Sequence, residues 1–268
     1  MSAFSAMGKR ARARAAKAGP PKEGDAAAAP AHDVENEQLT ILLRHGESAA
    51  QARTGSRKDP ALTDCGLSRK GQAQARGVDA SAFPPAELVV ASPLALALLT
   101  ASAVKFGDAQ RERPIVVHPA LREIGSEIPE NRPQPVAEQL RRQPALRDAA
   151  IDYSLLPPDW PSDADVFGNS GAARLADVLA WLRARPEKVI WVVCHHNVIQ
   201  QLAKTNPANA RLDRVLNCAP VPCALRDGAS GAELALLPAP RPQSPRERKA
   251  AERKAAAECP EAETPPLE

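Results

Sequence analysis

Four short apolar runs of this sequence end in polar or ionisable residues whose types could do chemistry together. These residues are Arg44, His45 and Gly46 after the first run, Ser92 after the second, Glu123 beyond the third and His195 after the fourth. Ligands of open α/β sheets bind at the carboxyl ends of the strands. If the four runs are strands of one sheet, these residues meet in a single crevice.

The residue types at this predicted crevice suit phosphoryl transfer. A neutral imidazole such as that of His45 can attack phosphorus, and histidine is largely neutral at pH 7. Arg44 would bind phosphoryl oxygens and keep the imidazole neutral, while Gly46 would let the backbone approach a ligand. His195 could donate a hydrogen bond to the transferring oxygens, and Glu123 could protonate the leaving oxygen. Each residue alone is more often structural, so the inference depends on the set.

The elements that must position these residues follow from the pattern of apolar residues. The four runs cover 39–43, 87–91, 114–117 and 188–193, and each is nearly continuous, which is typical of strands buried on both faces. Helical patterns cover 67–78, 93–106, 134–143 and 170–185, and weaker antiparallel strand candidates lie at 222–226 and 232–237. Because strands and helices alternate, the sequence predicts an α/β three-layer sandwich: a mostly parallel sheet with helices on both faces.

The two ends of the chain differ sharply in composition from its middle. Residues 1–38 are rich in Ala, Lys, Arg and Pro, and residues 239–268 are Pro-rich and then densely charged. Neither end can bury enough apolar surface to offset the entropy of ordering, so both are predicted to be disordered tails. The remaining part, 39–238, has an ordinary size for one α/β domain. Within it, the Pro-rich segment 124–168 is predicted to be an irregular insertion that roofs the crevice.

Composition also bears on partners and compartment. The net charge of +3 names no partner, and the aromatic residues, 3% of the chain, do not interleave with the basic ones, so we expect no nucleic-acid partner. No apolar run has the length of a membrane span, and five scattered cysteines suit a reducing compartment, which favours the cytoplasm. The basic cluster near the N-terminus leaves an organelle or the nucleus as alternatives.

A metal site is not favoured by the pair His195 and His196. Successive side chains of an extended chain point to opposite faces, so the two rings cannot easily chelate one ion. On the same geometry we expect only His195 to face the crevice. We expect no metal and no cofactor.

Several motifs, taken in order, resemble the histidine-phosphatase superfamily, which includes the cofactor-dependent phosphoglycerate mutases. They are R-H-G-E-S at 44–48, D-x-x-L-S-x-x-G-x-x-Q-A at 64–75, Ser92-Pro93-Leu94, Leu121-Arg122-Glu123, Arg174, and Val192-Val193-Cys194-His195. The resemblance spans residues 39 to about 205. No single motif is decisive, but the ordered set is specific.

The resemblance implies a phosphoglycerate-mutase-like fold and a covalent phosphohistidine intermediate on His45, which water then hydrolyses. The implied catalytic residues are His45, Glu123 and His195, and the implied phosphate-binding residues are Arg44, Gly46 and Ser92. The segment that follows Glu123 is more similar to the phosphatases of the family than to its glycolytic mutases. We therefore expect a phosphomonoester phosphatase that acts on a small phosphorylated substrate or a phosphoprotein.

One departure from the family pattern affects the phosphate pocket. Members of the family carry a second phosphate-binding Arg two residues beyond the Ser-Pro-Leu motif, where this sequence has Leu96. A charge-assisted hydrogen bond is worth about 1.5–3 kcal/mol, so its loss would weaken the reaction about 10- to 150-fold. The basic residues that could substitute are Arg53, Arg57, Lys58 and Arg122.

Two other functional classes stay open beside the phosphatase. A phosphomutase of the phosphoglycerate mutase type would return the phosphoryl group to a second hydroxyl of the substrate instead of to water. A catalytically impaired pseudo-phosphatase would keep the pocket for binding or regulation, which is consistent with Leu96 and the long charged tails.

Overall fold

The computed structural model describes residues 37–239, apart from 55, 112, 168–170, 210, 211, 213 and 230. The strands are β1 Gln38–Arg44, β2 Leu88–Ala91, β3 Ile115–Val117, β4 Ile151–Asp152, β5 Val189–Cys194, β6 Pro220–Gly228 and β7 Gly231–Leu236. The helices are α1 Arg69–Arg76, α2 Ala95–Ala103, α3 Asp108–Arg111, α4 Val136–Arg142, α5 Asp163–Phe167, α6 Ala172–Arg183 and α7 His196–Ala203. The predicted tails 1–38 and 239–268 lie outside the described residues, except for 37, 38 and 239.

The seven strands form one mixed sheet in the order β4-β3-β2-β5-β1-β6-β7. The pairs among β1 to β5 are all parallel, whereas β6 runs antiparallel to β1 and β7 antiparallel to β6. The mostly parallel sheet predicted from the sequence is therefore confirmed, and the two weaker strand candidates are its antiparallel end.

Helices cover both faces of this sheet, so the predicted three-layer architecture is also confirmed. On one face, α6 and α7 pack in a single apolar cluster with residues such as Leu42 of β1 and Val192 of β5. On the other face, α2 packs with Ile41, Leu43 and Trp191 of the same two strands. Successive residues of a strand point to opposite faces of the sheet. Because apolar clusters cover both faces here, both sets of residues are apolar, which explains the continuous apolar runs.

Local sequence signals account for the ends of the helices near the site. The Ser68 hydroxyl accepts a hydrogen bond from the Gly71 N–H at 3.0 Å and so caps α1, as the L-S-x-x-G motif leads one to expect. Helix α2 is buried along most of its length, in agreement with its apolar composition all round. None of the described helices combines the length and hydropathy needed to cross a bilayer.

The segment 124–168 is more regular than the predicted irregular insertion. It contributes α4, α5 and the two-residue strand β4, which pairs with β3 at one edge of the sheet. Helix α4 is tied to the site side of the sheet by Gln139, whose amide donates to Asp64 and to the Pro93 carbonyl, both at 2.8 Å. A strand of only two residues is too short to be recognised from the pattern of apolar residues.

Candidate active site

The carboxyl ends of three neighbouring strands bring the predicted site residues together. In the sheet register Arg44 of β1 lies opposite Cys194 of β5, and Ala91 of β2 lies opposite Val193 of β5. The next residues along these strands are His45, His195 and Ser92, so all three emerge at the same edge of the sheet. The rings of His45 and His195 are 5.1 Å apart between centroids.

His45 is held as a neutral imidazole with a defined tautomer. Its Nδ1 lies 2.7 Å from the Gly46 carbonyl oxygen, which can only accept, so Nδ1 carries the proton and Nε2 keeps a free lone pair. The residue is only 4% exposed. This burial, with the charges of Arg44 and Arg57 acting in the same direction, lowers the pKa of His45 to about 4. A neutral ring with a free Nε2 lone pair is the form that can attack an electrophile.

His195 is oriented by Ser92 within the same buried pocket. Its Nε2 lies 2.7 Å from the Ser92 hydroxyl oxygen, and the same oxygen lies 3.3 Å from the Leu94 N–H, from which it accepts a hydrogen bond. Burial lowers the pKa of His195 well below its ordinary value, and the neighbouring charges of His45, Arg174 and Arg44 lower it as well. The contact that the structure gives Ser92 is thus with His195, and its role in phosphate binding stays a prediction.

Arg44 lies beside His45 and is fixed by a segment that the sequence motifs did not include. One guanidinium nitrogen donates to the Val215 carbonyl at 2.8 Å, and the Arg44 carbonyl accepts from the Cys218 N–H at 2.9 Å. The Asn217 amide donates to the His45 carbonyl at 2.7 Å. The buried Nε of Arg44 has no hydrogen-bond partner among the described residues. The Arg44 guanidinium therefore has one N–H donor, at Nε, that makes no hydrogen bond to the described residues.

Glu123 is positioned through the backbone around it. Its carboxylate accepts from the Ile124 N–H at 2.8 Å and from the Asn197 N–H at the start of α7 at 3.3 Å. The Arg174 guanidinium donates to the Ala120 carbonyl and to those of residues 122 and 123, so it clamps the turn that presents this carboxyl. Burial raises the pKa of Glu123, although the charge of Arg44 opposes the shift. A raised pKa favours the protonated form of this carboxyl.

Gly46 has a structural reason to be glycine besides any approach of a ligand. A Cβ at this position would collide with the backbone of Gly71, which packs directly on the loop after β1. The Gly46 N–H donates to the Thr100 hydroxyl of α2 at 3.0 Å. Phosphate binding through this N–H stays a prediction and would require exchange of that hydrogen bond.

Comparison with known families decides the membership of the chain. The family model of the histidine phosphatase superfamily (branch 1) matches residues 40–219, which include every residue of the site described above. The chain belongs to the histidine phosphatase superfamily. A comparison with curated proteins finds no significant match.

Several solved phosphatase structures are similar to this superfamily member. The ecdysone phosphate phosphatase from Bombix mori aligns with a TM-score of 0.50 and 18% identity, covering 77% of this chain and 94% of that one. A mycobacterial glucosyl-3-phosphoglycerate phosphatase aligns with a TM-score of 0.43 and 21% identity, covering 75% and 97%. A phosphoserine phosphatase from Entamoeba histolytica aligns with a TM-score of 0.43 and 17% identity, covering 76% and 98%. At 18% identity, the likeness to the ecdysone phosphate phosphatase concerns the fold alone.

The departure at Leu96 has a clear structural setting in this superfamily member. Leu96 is 1% exposed and packs with Leu67, Ala75 and the partly buried Cys218. The Leu96 carbonyl also accepts from the Thr100 hydroxyl at 2.7 Å. Position 96 is therefore part of an apolar cluster, and an arginine side chain at this position would have to point out of the cluster.

His196 lies closer to the site than its place in the sequence suggested. The geometric premise that it continues an extended strand was wrong, because β5 ends at Cys194 and α7 begins at His196. The charge of His196 contributes to lowering the pKa of His45, so the two rings are within electrostatic reach. The buried Nδ1 of His196 has no hydrogen-bond partner in the described part of the chain. That only His195 faces the crevice stays a prediction.

Proposed function

We propose that this chain is a phosphomonoesterase that works through a phosphohistidine on His45. The observation that carries the proposal is the state of that ring: neutral, with Nδ1–H donated to the Gly46 carbonyl and with Nε2 free. His195 and Arg44 adjoin the ring and can stabilise negative charge that develops on a phosphoryl group. Membership of the histidine phosphatase superfamily supports the same chemistry.

In the first step, the Nε2 lone pair of His45 attacks phosphorus in line with the ester oxygen. A P–N bond forms, the P–O bond to the alcohol breaks, and Glu123 gives its proton to the departing oxygen. The raised pKa of Glu123 favours the protonated form that this step needs. Arg44 and His195 hold the equatorial oxygens, on which charge gathers during transfer.

In the second step, water attacks the phosphoryl group on His45. Glu123, now a carboxylate, takes a proton from this water, the P–N bond breaks, and inorganic phosphate leaves with His45 restored. Each group thereby returns to its starting state, and no cofactor enters the cycle. A phosphomutase would use the same first step but would deliver the phosphoryl group to a second substrate hydroxyl.

The substrate class that we propose is a small phosphate monoester or a phosphoprotein. The segment 124–168 supplies Gln139 and Glu130 near the site, so it is the part of the chain most suited to select among substrates. The impaired-enzyme alternative draws on Leu96, which is apolar and buried where the family has arginine.

The three functions are separated by one set of assays with p-nitrophenyl phosphate. The proposed phosphatase releases inorganic phosphate with multiple turnovers, and His45→Ala abolishes that release. A mutase would show little release to water but would move phosphate between hydroxyls of a polyol phosphate. An impaired enzyme would bind orthovanadate, seen as a rise in melting temperature, without turnover. The second or the third outcome, or release that survives His45→Ala, would overturn the proposal.

A further inference from the structure

The proposed reaction needs more positive charge than the predicted site supplies. A phosphate monoester is a dianion near neutral pH, and enzymes that transfer phosphoryl groups clamp it with several cations. Among the six predicted site residues, only Arg44 is a cation, because burial keeps both histidine rings neutral. Leu96 cannot help, since it is an apolar residue packed in a buried cluster.

Most other arginines near the site are engaged elsewhere. Arg53 is exposed and pairs with Asp59 at 3.0 Å within its own loop. Arg122 pairs with Asp165 at 3.3 Å, and Arg174 donates to three backbone carbonyls between 120 and 123. These contacts use the guanidinium groups to fix loops, so none of the three is placed for a phosphoryl group.

Arg57 differs from these arginines in what it approaches. Its charge lowers the pKa of both Arg44 and His45, in each case after the larger effect of burial, which places its guanidinium within electrostatic reach of the two residues that open the phosphate site. Arg53 and Arg122 are not among the main causes of the lowered pKa of His45. Arg174 does lower the pKa of His195, but its guanidinium donates to the backbone carbonyls of the 120–123 turn. About 43% of the Arg57 side chain is exposed, so part of it can be reached by a ligand.

A buried carboxylate anchors Arg57 next to the loop after β1. Glu130 is 3% exposed; one of its oxygens pairs with Arg57, and the other accepts from the Ser48 hydroxyl at 2.8 Å. Ser48 is fully buried and follows His45 by three positions, so the chain Ser48–Glu130–Arg57 starts from the same turn as the nucleophile. A guanidinium has five N–H donors in a planar fork, and pairing with one carboxylate oxygen leaves others for a second anion.

We propose that Arg57 provides the second cationic contact to the phosphoryl group in this chain, held in place by Glu130 and Ser48. The inference rests on the proposed phosphatase function and deepens it. Arg57 supplies the positive charge that Leu96 lacks, but it does so from a different loop and is held there by a carboxylate. The site then presents two guanidinium groups, Arg44 and Arg57, to one phosphoryl dianion.

The test compares Arg57→Gln and Arg57→Lys with the matched control Arg53→Gln, which removes an arginine from the same loop. Each variant is assayed for kcat/KM on p-nitrophenyl phosphate and for its dissociation constant with orthovanadate by thermal shift. We expect Arg57→Gln to lower kcat/KM about 10- to 150-fold and to weaken vanadate binding, with a smaller loss for Arg57→Lys, which keeps the charge. Arg53→Gln should stay within about twofold of the parent protein.

Loss of Arg57 also leaves Glu130 buried and unpaired, which could lower stability by itself. The double variant Arg57→Gln/Glu130→Gln removes this charge, while the amide oxygen that replaces the carboxylate can still accept from Ser48. We expect this double variant to show the same loss of vanadate affinity. Equal behaviour of Arg57→Gln and Arg53→Gln in an active parent protein would overturn the inference and leave the phosphatase standing. An inactive parent whose vanadate binding depends on Arg57 would keep the inference and overturn the phosphatase. An inactive parent that also binds no vanadate would overturn both.

Discussion

Replacing His45 by asparagine should make the protein less sensitive to acid. Asparagine is shorter and does not titrate, yet its side-chain N–H can still donate to the Gly46 carbonyl that Nδ1 of His45 now binds. The variant therefore keeps the local hydrogen bond and removes one proton-binding site. Its effect on stability should depend on pH in a way that the structure allows us to work out.

The sign and size follow from the pKa of His45, which is about 4 in the folded chain against 6.5 for an ordinary histidine. Between pH 6.5 and pH 4, His45 binds a proton in the unfolded chain but not in the folded chain, so stability is lost as the pH falls through this range. One pKa unit corresponds to about 1.4 kcal/mol. The loss is therefore about 2 kcal/mol between pH 7 and pH 5, and about 3 kcal/mol by pH 4.

The assay is urea unfolding of the parent protein and of His45→Asn at several pH values between 7 and 4. Whatever the variant costs at pH 7, its free energy of unfolding should gain about 2 kcal/mol relative to the parent by pH 5. Contributions from other titrating groups, including His195, occur in both proteins and largely cancel in the difference.

Proton NMR of the histidine rings provides an independent check on the same quantity. The resonance missing from the His45→Asn spectrum identifies His45, and its shift should not move until the pH approaches 4. A midpoint near 6.5 for that resonance, together with a pH-independent difference in unfolding free energy, would refute the argument that burial keeps this ring neutral.

Three further predictions concern the groups around the nucleophile. Glu123→Gln should lower kcat/KM about 100- to 10,000-fold for alkyl phosphates and less for p-nitrophenyl phosphate, whose leaving group needs no proton. The same variant should lose the decline in activity that the parent shows as pH rises through the raised pKa of Glu123; an unchanged pH profile would argue against its role as the acid. Arg174→Leu should remove the hydrogen bonds that hold the 120–123 turn, lowering kcat at least about tenfold and stability by about 2 kcal/mol in urea melts. An unchanged kcat would show that the turn keeps its position without Arg174. His195→Ala should abolish phosphate release and His196→Ala should leave a substantial fraction, and steady-state rates that fall equally would place both rings in the reaction.

The fold could be predicted from the sequence because its signals are local. Runs such as 188–193 are continuously apolar because both faces of the strand are covered, and α2 is apolar all round because it is buried. The polar residues that follow the apolar runs then predicted that these strand ends meet in one crevice. The sheet register confirms that His45, Ser92 and His195 follow three adjacent strands.

The contacts that complete the site could not be predicted, because they join distant parts of the chain. Val215 and Asn217 bind Arg44 and His45 across 171 and 172 positions, and no periodic pattern encodes such a contact. In the sequence, nothing distinguishes Glu130 from the other acidic residues, although in the structure it is buried and pairs with Arg57. These residues are recognised only once the fold has brought the loops together.

The setting of Asp64 likewise depended on the structure. It lies within a motif that the sequence did reveal, but its backbone takes a φ of 44° and its carboxylate accepts from the Ala95 N–H at the start of α2 at 2.8 Å. Burial raises the pKa of Asp64 to about 6. A motif can thus mark a position before the physical reason for its residue type is visible.

The central claim is that His45 carries the phosphoryl group during turnover. The direct measurement is intact-protein mass spectrometry after rapid mixing with p-nitrophenyl phosphate and quenching in alkali, in which a P–N bond survives. We predict a gain of one phosphoryl mass in the parent protein, located on His45 by peptide mapping and absent from His45→Asn. A protein that turns over substrate without ever showing this adduct, or that shows it equally in His45→Asn, would contradict the account.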